Sequence, residues 1–222
     1  MTIINRLTIS TTLHCIGYFR GHTHLYHVTG LAQYKVLGMT RDDAAGEAFD
    51  KFAKLVGLGF PGGVRVDKMA SENGDVSKYD FPRSLINEDS FEFSFSGLKA
   101  AAQRLIQSME PEKVKADLPS LCASFQEAIV DVLIVKAERA LKAYNLNRVV
   151  FTGGVSANSR LRHRVAQWAE EKGYQSVIPP IRYCTDNAAM IGFAGIERLS
   201  KGEFHGQDLA PSPRVLPEDF QH

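Results

Sequence analysis

The 222 residues suffice for one large domain or two small ones with a real core, and 44% hydrophobic with 23% charged residues excludes a disordered chain. A net charge of +1 excludes nucleic-acid binding argued from overall charge, so any such surface must be local. Three cysteines, Cys15, Cys122 and Cys184, with no CxxC pair, exclude a disulfide scaffold and a cysteine zinc site, and no uninterrupted apolar run approaches the ~20 residues of a membrane helix.

Residues 1–41 carry no Asp or Glu, as a transit peptide would, yet they are also rich in strand formers; the reading preferred is a cytoplasmic protein. Residues 24–37, HLYHVTGLAQYKVL, read as two short strands and a turn at Gly30. A helix follows, with Thr40 as its expected cap, Asp42 and Asp43 in its positive first turn, Gly57 and Gly59 at its end and a Pro61-Gly62-Gly63 loop beyond. Residues 71–90 are polar and irregular, an excursion or lid, and 93–109 read as a strand end and a helix. From Pro111 to Tyr144 most residues favour helix, with a break near Pro119 and an apolar face that includes Leu121, Phe125, Ile129 and Leu133. The last third alternates: strand 148–152, helix 158–172, strand 174–178, helix 186–199, then a Pro-rich tail. Such alternation predicts an α/β fold with a parallel sheet covered by helices.

Three stretches could carry chemistry. In FTGGVSANSRLR (151–162), Gly153 and Gly154 permit a tight turn from a strand into a helix whose free N–H groups and dipole suit a phosphate or carboxylate; an ordinary strand-to-helix turn fits equally well. Asn158 could reach a ligand hydroxyl or cap that helix. Asp43, Glu47 and Asp50, spaced by four and three, can share a helix face, as a solvated acidic surface or with Asp50 on a ribose diol. Asp186 precedes a helix of small residues as an N-cap or as a metal ligand in need of partners. His22 and His24 share a strand face and His27 points away, and the chain contains no HExxH, HxxxH, GxSxG or P-loop.

Taken in order, GHTHL, TRDDAAGEAFDKFAKLVGLGFPGG, FSFSGLK, GGVSANSRLR and PPIRYCTDNAAMIGFAG resemble the tRNA threonylcarbamoyladenosine transferase (TsaD, or glycoprotease) family from about Gly21 to about Gly202. The resemblance implies an actin-like ATPase (ASKHA) fold of RNase-H-like α/β lobes. It also implies transfer of a threonylcarbamoyl group from threonylcarbamoyl-adenylate to N6 of adenosine 37 in tRNAs reading codons that begin with A. Gly21, Asp50, Gly63 and Asn158 would hold that substrate, Gly153 and Gly154 would approach its phosphate, and Asp186 would ligate one divalent metal, iron or zinc. Expected partners are tRNA, the other proteins of threonylcarbamoyladenosine synthesis and a separate chain supplying the absent lobe, with no membrane.

The chain departs from the family in several places. A first-lobe unit of about a hundred residues, carrying the HxxxH pair that completes the metal site, is expected and absent. Phe19 and Arg20 stand where the family's SGGHT loop has small residues, and residues 1–20 form a divergent segment before the 21–202 domain and the 203–222 tail. A lone Asp186 would hold metal weakly. The alternative to an enzyme is a non-catalytic truncated paralogue that binds nucleotide or a partner; a metalloprotease rests on the older family name alone.

Overall fold

The computed structural model describes residues 15–19, 23–30, 33–185, 187–204 and 206. Gly21, His22 and Asp186 therefore lie outside the described residues. Cys15–Phe19 (β1), His24–Gly30 (β2) and Gln33–Met39 (β3) form an antiparallel meander, and Arg148–Phe151 (β4) and Gln175–Val177 (β5) extend it with parallel pairings. The order is β3-β2-β1-β4-β5. The sheet is thus mixed, parallel only along β1-β4-β5: the hairpin at Gly30 forces antiparallel pairing in the first half, while helical crossovers make the second half parallel.

The helices are Ala45–Leu55 (α1), Gly62–Ala70 (α2), Ser96–Gln107 (α3), Pro111–Ala116 (α4), Leu118–Ala143 (α5), Ser159–Lys172 (α6) and Ala188–Ser200 (α7). The expected break falls between α4 and α5, with Pro119 in the first turn of α5, where it loses no hydrogen bond. Among the described residues α5 alone is long and apolar enough to cross a membrane, but it is mostly buried within the protein and serves as the core helix. Phe125 stacks on Phe52 with ring centroids 4.0 Å apart and meets Phe49 and Phe81 edge-on, which joins α1, α5 and the 71–90 segment in one core.

Three local expectations are corrected. Thr40 does not cap α1; its hydroxyl donates to the Asp43 carbonyl, and the hydroxyl oxygen of Thr23 accepts from Ala45 N–H at 2.8 Å instead. Asp42 and Asp43 precede the helix. Asp42 caps α3 from a distance, accepting from Phe95 N–H (2.8 Å), Ser96 N–H and the hydroxyls of Ser94 and Ser96; although burial opposes it, these bonds hold the carboxyl below the usual range. Gly62 and Gly63 open α2 and are not loop residues.

The 71–90 segment is a packed strap. Phe81 is in the core, Asp131 pairs with Arg83 at 3.0 Å, and Arg139 donates to the carbonyls of Ile86, Glu88 and Ser90. Lys136, 0% exposed, donates to the Ser90 carbonyl at 2.7 Å. Burial, and then the neighbouring Arg139, push its pKa down from 10.5 to about 8; Arg41 acts in the same direction, against Glu88 and Glu92. Between those two values the folded chain binds fewer protons than the unfolded chain, so this residue's contribution to stability rises with pH. Relative to Lys136→Met, the wild-type protein is expected to gain about 2 kcal/mol between pH 7.5 and 10 in urea unfolding. A constant difference would contradict the assigned burial cost.

Helix α7 buries no residue, and Met190, Ile191, Phe193, Ile196 and Leu199 are all exposed. Its N-terminus is capped by Asn187, whose side chain accepts from Met190 N–H at 3.0 Å.

Candidate functional site

The site is built where α1, α2 and the start of α6 converge. Phe151 ends β4, and Gly153, with φ 86° and ψ 175°, makes the turn that a side chain would strain. One 3₁₀ turn, Gly154–Ala157, then leads to Asn158. The Asn158 side chain caps α6, its oxygen accepting from Leu161 N–H at 2.9 Å while its amide donates to Gln126 Oε1 at 2.7 Å. It is 7% exposed. Of the two roles open in the sequence, capping is thus observed, and one amide hydrogen is left for anything else.

Nothing in the sequence reading singles out Asp67, yet its carboxylate accepts from both Ser159 N–H (3.0 Å) and the Ser159 hydroxyl (2.7 Å). The helix start that could serve an anion is thereby partly satisfied by the chain's own carboxylate. Gly46 on α1 faces the Val155 side chain, with 3.6 Å between the position of a Cβ and Val155 Cγ2. Because residues four apart lie on one helix face, Asp50 follows Gly46, and Gly63 precedes Asp67, by a single turn. Asp50 and Gly63 are therefore placed about 6 Å along their helices from the contacts with the 154–159 segment.

The α1 face that carries Gly46 meets the 154–157 turn, and a groove nearby of about 360 Å³ is lined by Asp67, Ser71, Gln126, Ser159, Arg160 and His163. Asp43, Glu47 and Asp50 do not form an unpartnered acidic face. Asp43 lies before the helix, and Lys51 reaches both Asp43 (2.5 Å) and Glu47 (2.8 Å). Asp50 Oδ1 accepts from Gly62 N–H at 2.7 Å, at the positive start of α2, and Oδ2 has no hydrogen-bond partner among the described residues.

The glycines separate by cause. A Cβ on Gly62 would lie 2.5 Å from Asp50 Cα and 2.7 Å from the Phe49 carbonyl oxygen, so packing of α2 on α1 dictates that glycine. At Gly63 the nearest atom is 4.0 Å away, and at Gly154 nothing lies within 4 Å; neither has a positive φ. Packing within the described residues does not require glycine at either position.

Behind this surface, Glu127 on α5, 5% exposed, is gripped in two-pronged fashion by Arg160 (2.6 and 3.0 Å) and also by Arg164, which reaches Asp131 as well. The sequence signal was available: Glu127 and Asp131 in an apolar run, and Arg160 and Arg164 in the following helix, are both pairs four apart. Among the described residues no three His, Cys, Asp or Glu side chains gather to hold a metal.

Residues 20–193 match the family described as tRNA N6-adenosine threonylcarbamoyltransferase, TsaD. The chain belongs to this family. A TsaD relative named tRNA N6-adenosine threonylcarbamoyltransferase from Bdellovibrio bacteriovorus is 60% identical over 201 residues, covering 90% of this chain and 58% of its own length. One of the same name from Anaeromyxobacter dehalogenans is 50% identical over 194 residues, covering 87% and 58%. The chain thus spans a little over half the length of these TsaD relatives. A full-length HypF, crystallised in a phosphate- and nucleotide-bound form, superposes with a TM-score of 0.65 at 14% identity over 85% of this chain and 40% of its own, a likeness of fold.

Proposed function

We propose that this chain forms the adenylate-holding part of a tRNA N6-adenosine threonylcarbamoyltransferase, within the RNase-H-like second lobe of an actin-like ATPase (ASKHA) fold. The observation that carries the reading is Asp50. Its carboxylate is fixed on the α2 start with one oxygen uncommitted, and internal packing gives no cause for two glycines, Gly63 at that helix start and Gly154 in the turn that α1 meets. Asp50 Oδ2 is suited to accept from a ribose hydroxyl, the Gly63 backbone to let the sugar approach, and the Gly153-Gly154 turn to face the phosphate. Gly21 and the remaining amide hydrogen of Asn158 complete the proposed contacts.

In the transfer, N6 of the adenosine forms a bond to the carbamoyl carbon, the bond from that carbon to the phosphate oxygen breaks, AMP leaves with the electron pair and N6 gives up a proton. The chain's residues hold the adenylate in place for that attack, which is mainly a positioning contribution. Asp186 belongs to the same proposal as ligand of an iron or zinc ion, and tRNA and the other proteins of the pathway as partners in the cytoplasm. The described residues supply no ligand cluster to accompany Asp186.

The second reading, a nucleotide-binding module without catalysis, is favoured by one observation: Asp67 already occupies Ser159 N–H at the α6 start. Titration of threonylcarbamoyl-adenylate into the chain, followed by addition of tRNA and the partner proteins, separates the two. Binding followed by modified nucleoside supports the enzyme, and binding without product the module. Asp50→Ala is expected to weaken adenylate binding about tenfold, the loss of a charged hydrogen bond. Unchanged affinity would remove Asp50 from the ribose.

A further inference from the structure

We propose that Arg162 is a positioning residue of the adenylate site: its guanidinium docks the 179–184 segment beside the turn at 153–158, and a phosphate bound at that turn strengthens the docking. The proposal rests on the adenylate reading above and assigns a residue that the reading does not use.

The topology brings the two segments together. β4 and β5 pair in parallel, Val150 opposite Val177, so the chain leaves both strands at the same edge of the sheet, about 4.8 Å apart. In open α/β sheets the carboxyl ends of the strands are where ligands bind. From β4 the chain runs into the Gly153-Gly154 turn and α6; from β5 it runs through Pro179 and Pro180 into a 3₁₀ turn, Ile181–Tyr183. Arg162 bridges them. It lies one helical turn beyond Asn158 on the same face. Its Nη2 donates to the Pro179 carbonyl at 2.6 Å and to Cys184 Sγ at 3.2 Å, which grips both ends of the segment.

Little else holds the segment. Ile181, Arg182 and Tyr183 are exposed, and of residues 179–184 Cys184 alone is buried, at 2% exposed. The clamp is also electrically incomplete. Arg160 and Arg164 meet Glu127, whereas the acceptors of Arg162 are a carbonyl and a sulfur, and its Nε–H is buried with no acceptor among the described residues. A cation that gives up water without gaining an opposite charge is held weakly, so the docked and undocked segment differ little in free energy. An adenylate phosphate at the neighbouring turn supplies negative charge to the same edge of the sheet and favours the docked segment through Arg162. Linkage makes the effect mutual: docking strengthens phosphate binding by the same factor.

The test is alkylation of the chain by iodoacetamide, followed at each cysteine by peptide mass spectrometry, with AMP and adenosine binding measured in parallel by calorimetry. Saturating AMP is expected to slow Cys184 labelling about tenfold, and saturating adenosine, which lacks the phosphate, to leave it unchanged. Arg162→Met should speed Cys184 labelling about tenfold without ligand and abolish the AMP effect, while Cys122, 0% exposed, keeps its wild-type rate. Arg162→Lys, which keeps the charge, should retain part of the AMP effect. Equal slowing by AMP and adenosine, or AMP bound without any slowing, would overturn the proposal and leave the adenylate reading standing. So would an AMP effect of wild-type size in Arg162→Met. If that variant unfolds, seen as rapid Cys122 labelling, the wild-type comparison of AMP with adenosine still decides. Failure of AMP to bind would instead overturn the adenylate reading, and the proposal with it.

Discussion

Glu127→Ala is expected to cost about 3–5 kcal/mol in urea unfolding. Glu127 is buried between α5 and α6, and its carboxylate accepts from both Arg160 and Arg164. Truncating it leaves two guanidinium groups facing each other, with Asp131, already shared with Arg83, as the sole nearby carboxylate among their described partners. The expected consequence is a loosened attachment of the α6 N-terminal half, which buries Leu161 and Val165, to α5. Glu127→Gln keeps the shape and part of the hydrogen bonding and should lose clearly less. Equal losses for the two variants would show that packing, and not charge, holds α6.

Gly62→Ala is expected to destabilise by about 3 kcal/mol, whereas Gly63→Ala, one residue on, should change stability by less than about 1 kcal/mol. The added methyl at 62 meets backbone on both sides, Asp50 Cα at 2.5 Å and the Phe49 carbonyl oxygen at 2.7 Å, and neither can turn aside as a side-chain tip would. Relief requires α2 to move off α1, which also breaks the Asp50–Gly62 hydrogen bond. At 63 the methyl's nearest neighbour is Phe49 Cβ at 4.0 Å, an ordinary van der Waals contact. Thermal unfolding of the two variants checks the contrast, and similar losses would place Gly63 in the packed interface as well.

Much of this architecture was legible in the chain itself. The alternation after residue 148 predicts β4, α6 and β5 to within a residue or so, because helix and strand periods there are clean and Gly173 marks the α6 end with φ +72°. The start of α1 was less so: Thr40 has the chemistry of a cap and Asp42 that of a first-turn residue, but Thr23, just before β2, bonds Ala45 N–H at the start of α1, and Asp42 caps the distant α3. The strap at 71–90 reads as a polar excursion because its anchors, Lys136, Arg139 and Asp131, lie some fifty residues away in sequence. Of the candidate site, Asp50, Gly63 and Asn158 are proposed through motif resemblance, whereas Asp67 has meaning only once α2 packs beside the α6 start. Glycine identity alone could not separate Gly62 from Gly63.

The proposed adenylate surface at Gly63 and Gly154 is tested most directly by calorimetric titration of AMP into the wild-type chain and into Gly63→Ala and Gly154→Ala. Both variants should keep wild-type stability and lose AMP affinity about tenfold or more, because a methyl group occupies the space the ligand needs. AMP bound by both with wild-type affinity would contradict the assignment.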